Sequence, residues 1–431
     1  MRLAVFAVLL SSTTAFADYS DPLTPIDPTG LDLVWKPTAN LPTANLVTLD
    51  AVLASANHSL YPCPANTSLP IAPAAMTAYC FEAGDTTTTA WSSQSITTSG
   101  EAYTTGLAGT SHHVMLTGWH FDTDGDRYNE ARVSFIDLDK LNYRWAYLVD
   151  ENLAPIQAHG GGMVWNGDKI YVVAVGNGTT ALRVFSTNNI VKASVNGYAY
   201  ALVQIGTYEY KAGACSMADD QHTPCLSSIS LDRSTTPVSV VTTEYFSDQT
   251  MHGRLIRYPT TGTAFLLAGT ASEAFRSGVA NMQGVMSWMG TWWVAHSSAD
   301  YHGQLWRQTT TASEVQTCTT ADPSSAMCWG LHPEALTYSP ATNLVWSITE
   351  YPDTRALFAV PLDRLMSPGG NATDAGVDID DPGTPDDPQH SGGCNAGANT
   401  SPLIALVLLG LLRRHRRFDM IKRGTSWKPI R

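Results

Sequence analysis

Between residues 18 and 365 the chain is a succession of short β-type runs, rich in Val, Ile, Thr, Trp and Tyr and broken by Gly, Asn, Asp or Pro roughly every ten residues. No long segment carries the 3.6-residue period of an amphipathic helix. The pattern predicts an all-β fold.

The runs also repeat. GGMVWNGDKIYVV from Gly161 to Val173 aligns with GVMSWMGTWWVA from Gly284 to Ala295, matching Met163 with Met286, Trp165 with Trp288 and Gly167 with Gly290. HPEALTYSPATNLVWSITEY is a third copy, with Leu336 and Tyr338 in the Met and Trp positions. Each copy continues to a third strand (ALRVF, GQLWR, RALFAV), and weaker copies begin near Gln94 and Ser228. Starts near Gln94, Gly160, Ser228, Gln283 and Pro333 are about 50 to 70 residues apart, the size of a propeller blade of antiparallel strands. The expectation is a β-propeller of five to six blades over residues 91–366, with residues 18–90 forming a sixth blade or a ring-closing strand.

The succession QAHGGGMVWNGDKIYVVAVGNG, SLDRSTTPVSVVTTEY, QGVMSWMGTWWVAHSS and HPEALTYSPATNLVWSITEYPDTRALFAVP resembles a group of secreted bacterial propeller proteins found chiefly among actinobacteria. The resemblance covers most of Trp91 to Leu362. It implies the fold and export; the group carries no established activity, so no reaction follows from it.

The two ends of the chain concern location. Residues 1–17 carry Arg2, an apolar run from Leu3 to Leu10 and an Ala15-Phe16-Ala17 site, the order of a secretory signal peptide rather than of a buried helix or strand. Cys63 and Cys80, Cys215 and Cys225, and Cys318 and Cys328 form local pairs without CxxC spacing, which in an exported chain read as three loop disulfides. Cys394 is left over. Residues 367–393 hold six aspartates and four prolines and read as an extended acidic stalk. Ala396 to Leu412 is uncharged for 17 residues and is followed by Arg413, Arg414, Arg416 and Arg417, the pattern of a short transmembrane helix with a cytoplasmic basic end.

A small-residue motif around Cys394, a short apolar helix and an arginine cluster, over residues 394–417, resemble the MYXO-CTERM class of bacterial C-terminal sorting signals. The resemblance implies cleavage near Cys394 by an envelope sorting protease and display at the cell surface. A basic tail at residues 418–431 departs from that pattern, and a permanent single-span anchor is the alternative. Setting aside Arg2 and the net +7 of residues 413–431 takes the formal charge from −13 to about −21 on the exported portion. So acidic a surface argues against nucleic acid and anionic lipid as partners.

Candidate chemistry comes from polar residues that the repeats bring into register. His159 and His332 each stand four residues before the aligned Met163 or Leu336. Glu244 and Glu350 end second strands in a shared Thr-Glu-Tyr, and His120 and His296 end theirs. In a propeller, the start of the innermost strand and the end of the second lie at one mouth of the channel. His120, His159, Glu244, His296, His332, Glu334 and Glu350 are therefore expected to gather there, to bind a small ligand or a divalent metal, or to supply a general acid and base. Backbone hydrogen bonding or solvent exposure is the structural alternative.

FDTDGDRYNEAR places Asp122, Asp124, Asp126 and Glu130 in an acidic loop that could hold Ca²⁺. It lacks the glycine position and the final Glu of an EF-hand, and a solvated hairpin tip is the alternative. The glycines at 160–162 and 176–178 lead into β residues with no Lys-Ser/Thr pair, so they read as turns rather than a phosphate cradle. No Gly-x-Ser-x-Gly, His-Glu-x-x-His or CxxCH motif occurs. Trp165, Trp288 and Trp346 sit at repeat positions and read as blade core rather than as a sugar platform. These residues point to an exported, cell-surface binding or interaction module for a small ligand, glycan or surface protein. The alternatives are an extracellular lyase or hydrolase of glycans or small molecules, and an envelope-display protein with partners on its rim.

Overall fold

A computed structural model describes residues 21–123, 130–174, 178–218, 221–248, 250–298, 301–318 and 326–366. Residues 1–17, Asp124, Asp126, Cys394 and the stalk and tail lie outside them. Among the described residues no helix is long and apolar enough to cross a membrane.

Five antiparallel sheets stand around a common axis. Blade 1 comprises Trp91–Thr98, Val114–Phe121, Ala131–Asp137 and Asn142–Val149. Blade 2 comprises Met163–Asn166, Lys169–Val173, Thr180–Val195 and Tyr198–Tyr210. Blade 3 comprises Leu226–Asp232, Ser239–Glu244, Arg254–Thr261 and Glu273–Arg276, and blade 4 comprises Met282–Trp288, Thr291–His296, Gln304–Gln308 and Ser313–Val315. Blade 5 contributes Pro333–Ser339, Leu344–Thr349 and Leu357–Pro361 from the end of the domain. It borrows its outer strands, Thr77–Phe81 and His58–Pro62, from the beginning.

Five hydrophobic clusters show that the ring is closed, one at each interface between neighbouring blades. Phe135 meets Met163 and Trp165 between blades 1 and 2, and Tyr171 meets Ile229 and Val240 between blades 2 and 3. Val241 meets Val285 and Trp292 between blades 3 and 4, while Met286 and Trp293 meet Leu336 and Phe358 between blades 4 and 5. Ile96 and Trp119 meet Ala335 and Trp346 across the seam between blades 5 and 1. Each blade is two-faced because its strands alternate, and both faces are buried against neighbours. The fold is a five-bladed β-propeller.

Residues 21–90 do not make a sixth blade. They add edge strands: Thr24–Pro25 to blade 3, Leu33–Pro37 to blade 2, and the closing pair to blade 5. Such pairing covers backbone groups that open edges would leave bare. Asp85 anchors this segment by accepting from Arg132 (2.9 Å), Tyr143 (2.6 Å) and Trp145 (3.0 Å) of blade 1. The repeat unit has a fourth strand beyond the three legible in the sequence, and in blade 2 strands three and four form a long twisted hairpin reaching back to blade 1 through a parallel pairing.

Gly162 is small because blades approach there: a Cβ would lie 2.5 Å from the Ile229 nitrogen of blade 3. Met289-Gly290 turns blade 4 with both residues at positive φ, as a two-residue hairpin requires. These glycines serve backbone geometry, as their lack of phosphate-loop neighbours implied. Trp165 and Trp346 are buried in the core, and Trp288 packs against it.

Cys63–Cys80 and Cys215–Cys225 are disulfides. The third pairing is corrected: Cys318 and Cys328 are free thiols, and Cys328 is buried with its S–H donating to the Gln316 carbonyl at 3.4 Å.

Candidate functional site

The inner strands of blades 1, 3, 4 and 5 each contain a β-bulge at the same place. In blade 1, Ser95 pairs with Gly118 and Ser93 with Trp119, leaving Gln94 extra; in blade 3, Ser228 pairs with Thr243 and Leu226 with Glu244, leaving Ser227. In blade 4, Gly284 pairs with Ala295 and Met282 with His296, leaving Gln283. In blade 5, the register shifts between Pro333↔Thr349 and Leu336↔Ser347, which places Glu334 at the corresponding step. A bulge re-aims one side chain out of the pleat. Here it re-aims a polar residue in each of four blades, and two of them, Ser227 and Gln283, line a cavity.

The residue after each bulge partner on the second strand lies beside it: His120, Tyr245, Ser297 and Glu350 by register. A cavity of about 240 Å³ at this mouth is lined by His159, Gly161, Met217, Cys225, Ser227, Tyr245 and Gln283. Gln94 Nε2 donates to Glu350 Oε1 at 2.9 Å. The rings of His120 and His159 stack with centroids 4.1 Å apart, and His120 Nε2 lies 3.6 Å from Asp122 Oδ1. Arg355 positions Glu350 by donating to its carbonyl (2.7 Å) and to the carbonyls of Asp85, Thr88 and Trp91.

Glu334 is the outlier. It is 0% exposed, and neither carboxyl oxygen has a hydrogen-bond partner among the described residues. His120 Nδ1 is also buried and unpartnered among them. Burial, then the neighbouring Glu350, push the Glu334 carboxyl well above the usual range, and burial raises Glu350 too. Tyr245 is raised by burial, then by Glu334 and Glu350. Burial, then His120, push the His159 imidazole down to about 3. The mouth thus brings together two carboxyls raised above their usual range, amides, a phenol and the stacked His120–His159 pair, of which His159 is held uncharged at neutral pH.

Of the residues expected at the mouth, the structure brings together His120, His159, Glu334 and Glu350. Glu244 is not with them. By register it matches Thr349 rather than Glu350, and a one-residue offset turns a side chain to the opposite face of a strand. There it holds Arg254 through two bonds of 2.6 and 2.8 Å. His296 is displaced for the same reason, matching Trp119 rather than His120, and its Nδ1–H donates to the Ala280 carbonyl at 2.7 Å. Its imidazole is lowered by burial, against the effect of that bond. His332 stacks on Tyr351 at 3.6 Å, in a left-handed backbone conformation.

In the acidic loop, Asp122 accepts from Ser92 (3.1 Å), and its carboxyl is lowered chiefly by His120. Glu130 faces into the blade, where its Oε2 accepts from Tyr147 (2.5 Å) and Asn196 (3.1 Å). Glu130 Oε2 is thereby engaged within the blade, while Asp124 and Asp126 of the same loop lie outside the described residues. Among the described residues, groups of three ligand atoms close enough to share an ion are His58, Glu82 and Asp85, and His112, Asp137 and Asp139. Neither is at the mouth. Asp85 is engaged by Arg132, and Asp137 by Lys140 at 2.9 Å.

Gln94, Ser227, Tyr245 and Gln283 were not singled out from the sequence. Their signal is a shared column one step from the repeat starts, hidden by the extra residue of each bulge. A further buried acid, Glu101, also went unremarked. It lies in the short helix Ser99–Ala102, at the end of the inner strands opposite the bulges, and accepts from Thr97 of blade 1 and from the Leu231 amide of blade 3 (2.7 Å). The Ala102 carbonyl accepts from Gly167 of blade 2 (3.2 Å), and Gly100 abuts Ser339 of blade 5. The signal was Thr98-x-x-Glu101, a capping pattern, with Thr98 Oγ1 accepting from the Glu101 amide at 3.2 Å.

No protein family and no curated protein matches this chain. Solved structures do resemble it at low similarity. A mutant levansucrase from B. subtilis aligns at 10% identity and a TM-score of 0.38, over 63% of this chain and 84% of that one. A Trypanosoma rangeli sialidase aligns at 10% identity and 0.30 (72% and 60%), and TolB from Acinetobacter baumannii at 10% and 0.30 (70% and 63%). The chain spans less than two thirds of these last two. Likeness this distant transfers neither a site nor a reaction.

Proposed function

We propose that this chain is an exported propeller, displayed at the cell surface, that binds a small ligand in its channel mouth. Glu334 carries the reading. A fully buried carboxyl with two unpartnered oxygens costs stability unless a partner satisfies it. Tyr245, whose ionisation Glu334 disfavours, lines a cavity together with Gln283 and Ser227, which offer directional hydrogen bonds. Such strain is kept where function needs it.

Export and display rest on the order of charge, apolar run and small-residue site at residues 1–17 and on the MYXO-CTERM-like tail. Intact mass of the native protein tests both: loss of residues 1–17 and cleavage near Cys394 are expected. Retention of the arginine tail would replace sorting by a permanent anchor. Retention of residues 1–17 would count against export.

For the site, thermal-shift screening of the mature protein against small polar compounds, repeated with Glu334→Gln, is the test. Stabilisation that the variant loses supports a binding mouth; hits insensitive to it would sink the reading. An extracellular lyase or hydrolase is a second reading, favoured by the raised protonation of Glu334 and Glu350, which a general acid requires. Turnover of a glycan or small-molecule substrate, lost in Glu334→Gln, would move the assignment there.

A further inference from the structure

We propose that a cavity at the outer edge of blade 1 is a second binding site, for a small carboxylate anchored on Arg144. It is separate from the channel mouth and does not rest on the reading of that mouth.

Strand pairing creates the cavity. The outer strand of blade 1, Asn142–Val149, is covered at its edge by two different segments. His58 and Ser59 pair antiparallel with Tyr143 and Asn142, and Ala201 to Val203 of blade 2 pair parallel with Tyr147 to Val149. Arg144, Trp145 and Ala146 fall in the gap between these covers. A cavity of about 280 Å³ is lined there by the ends of both covers, His58 and Tyr198, by Arg144 and Trp145 of the gap, and by Glu82, Asp85 and Arg132. Alternation sends Arg144 and Trp145 to opposite faces of their strand, and Arg132 shares the face of Trp145, with its guanidinium 3.7 Å from the centre of that ring. Two guanidinium groups therefore reach the cavity from the two faces of one blade.

Hydrogen-bond accounting shows what the cavity lacks. Asp85 accepts from Arg132, Tyr143 and Trp145, which engages both of its oxygens. Glu82 is held by His58 Nδ1 at 2.6 Å and by the Ser59 amide at 3.4 Å. Arg132 is paired with Asp85 and donates to the Tyr198 hydroxyl at 2.9 Å, and its buried Nε has no acceptor among the described residues. Arg144 makes no hydrogen bond or ion pair among the described residues, and its guanidinium lies over the Tyr200 ring at 5.3 Å. Each acid has a partner and Arg144 has none. An anion that accepts the paired N–H groups of a guanidinium fork supplies the missing one. The Tyr198 hydroxyl, which accepts from Arg132, keeps its own proton to donate to the ligand.

Two other ligand classes fit less well. A phosphate dianion meets more repulsion than a carboxylate from Glu82 and Asp85 in the same wall. For a metal, His58, Glu82 and Asp85 offer ligand atoms within 4.8 Å of one another, but both Asp85 oxygens are engaged and two guanidinium groups line the cavity, which disfavours a cation. The formal charge of −13 on the whole chain opposes the approach of anions, so selection falls to the local groups.

Isothermal titration calorimetry of the mature protein should use acetate and benzoate as probes, their neutral isosteres acetamide and benzamide as controls, and inorganic phosphate and Zn²⁺ as comparisons. At least one acid is expected to bind saturably below about 10 mM, and about tenfold or more tighter than its amide. Arg144→Gln should weaken the acid by about tenfold or more and remove the preference for acid over amide. Arg144→Lys, which keeps the charge and loses the fork, should retain part of the affinity. Arg144 has no hydrogen-bond partner in the fold, so Arg144→Gln should leave the melting temperature unchanged, which separates lost binding from lost folding.

Absence of saturable binding by either acid, equal binding of acid and amide, or acid binding unchanged in Arg144→Gln would overturn the proposal. Phosphate bound in preference to both acids and lost in Arg144→Gln, or Zn²⁺ binding that Arg144→Gln strengthens, would overturn the carboxylate class and assign the cavity to that ligand instead. Every one of these outcomes leaves the channel mouth to its own test with Glu334→Gln.

Discussion

Glu334 and Gln283 hold the same bulge position in neighbouring blades, and the two inner strands approach so closely there that a Cβ on Gly284 would lie 2.5 Å from the Glu334 carbonyl. The contact is between backbones, so little can move to relieve it. Gly284→Ala should cost about 1–3 kcal/mol by overpacking and displace Glu334 from the mouth. Denaturant unfolding reads the stability, and ligand-induced thermal shift reads the site. A variant as stable and as responsive as wild type would contradict this view of the seam.

Glu334→Leu should stabilise the free protein, by about 1–3 kcal/mol, because it removes an unsatisfied buried acid. The sign follows from linkage. Glu334 has its folded value raised, so its folded form holds a proton that the unfolded chain releases above about 4.3, the ordinary Glu value, and wild-type stability falls as pH rises from there. The advantage of the variant should therefore grow with pH. Urea midpoints at several pH values check it; a destabilised variant at neutral pH would show that Glu334 has partners within the fold.

Register decides between Glu244 and its neighbour Tyr245. Arg254→Ala strands the buried Glu244 and should cost about 3–5 kcal/mol, whereas Tyr245→Phe should cost little stability and weaken ligand binding. Melting curves together with binding isotherms separate the two. Ligand binding that depends on Glu244 with Arg254 intact would return Glu244 to the mouth.

Glu101 predicts a second pH dependence at the other end of the channel. Burial raises its carboxyl from 4.5 to about 7, against the pull of Thr97, Leu231, Thr337 and Arg233. Its contribution is full below pH 4.5 and is lost as pH rises to about 7, a change on the order of 3 kcal/mol. Glu101→Gln should flatten that slope. His159 works in the opposite sense: with its folded value lowered to about 3, stability is lost as pH falls below 6.5. Stability profiles of wild type, Glu101→Gln and His159→Gln across pH 4 to 8 distinguish the two. An unchanged slope in Glu101→Gln would show that the carboxyl titrates normally.

The propeller was legible because each blade is specified locally. Two-residue turns such as Met289-Gly290 and β runs such as KIYVV recur at blade spacing, so the inner strands fall near the expected starts. The outer strands were not legible. Thr77–Phe81 and His58–Pro62 pair with a blade nearly 300 residues later, and no local pattern encodes such a partner. The mouth was half legible for a sharper reason: a bulge adds one residue to one strand, which broke the alignment of second-strand ends and exchanged Glu244 for Tyr245 and His296 for Ser297. Period-two structure turns a slip of one into the wrong face. The disulfide expectation failed where proximity in sequence was the whole argument, because Cys318 and Cys328 lie near each other and remain thiols.

The most direct test of the ligand mouth is a crystal structure of the mature protein soaked with the best-binding compound of the thermal-shift screen. The account predicts ligand density in the channel mouth, with hydrogen bonds to Gln283 or Tyr245 and Glu334 drawn into contact with the ligand. Density confined to the blade rim, with Glu334 satisfied by ordered water alone, would contradict it.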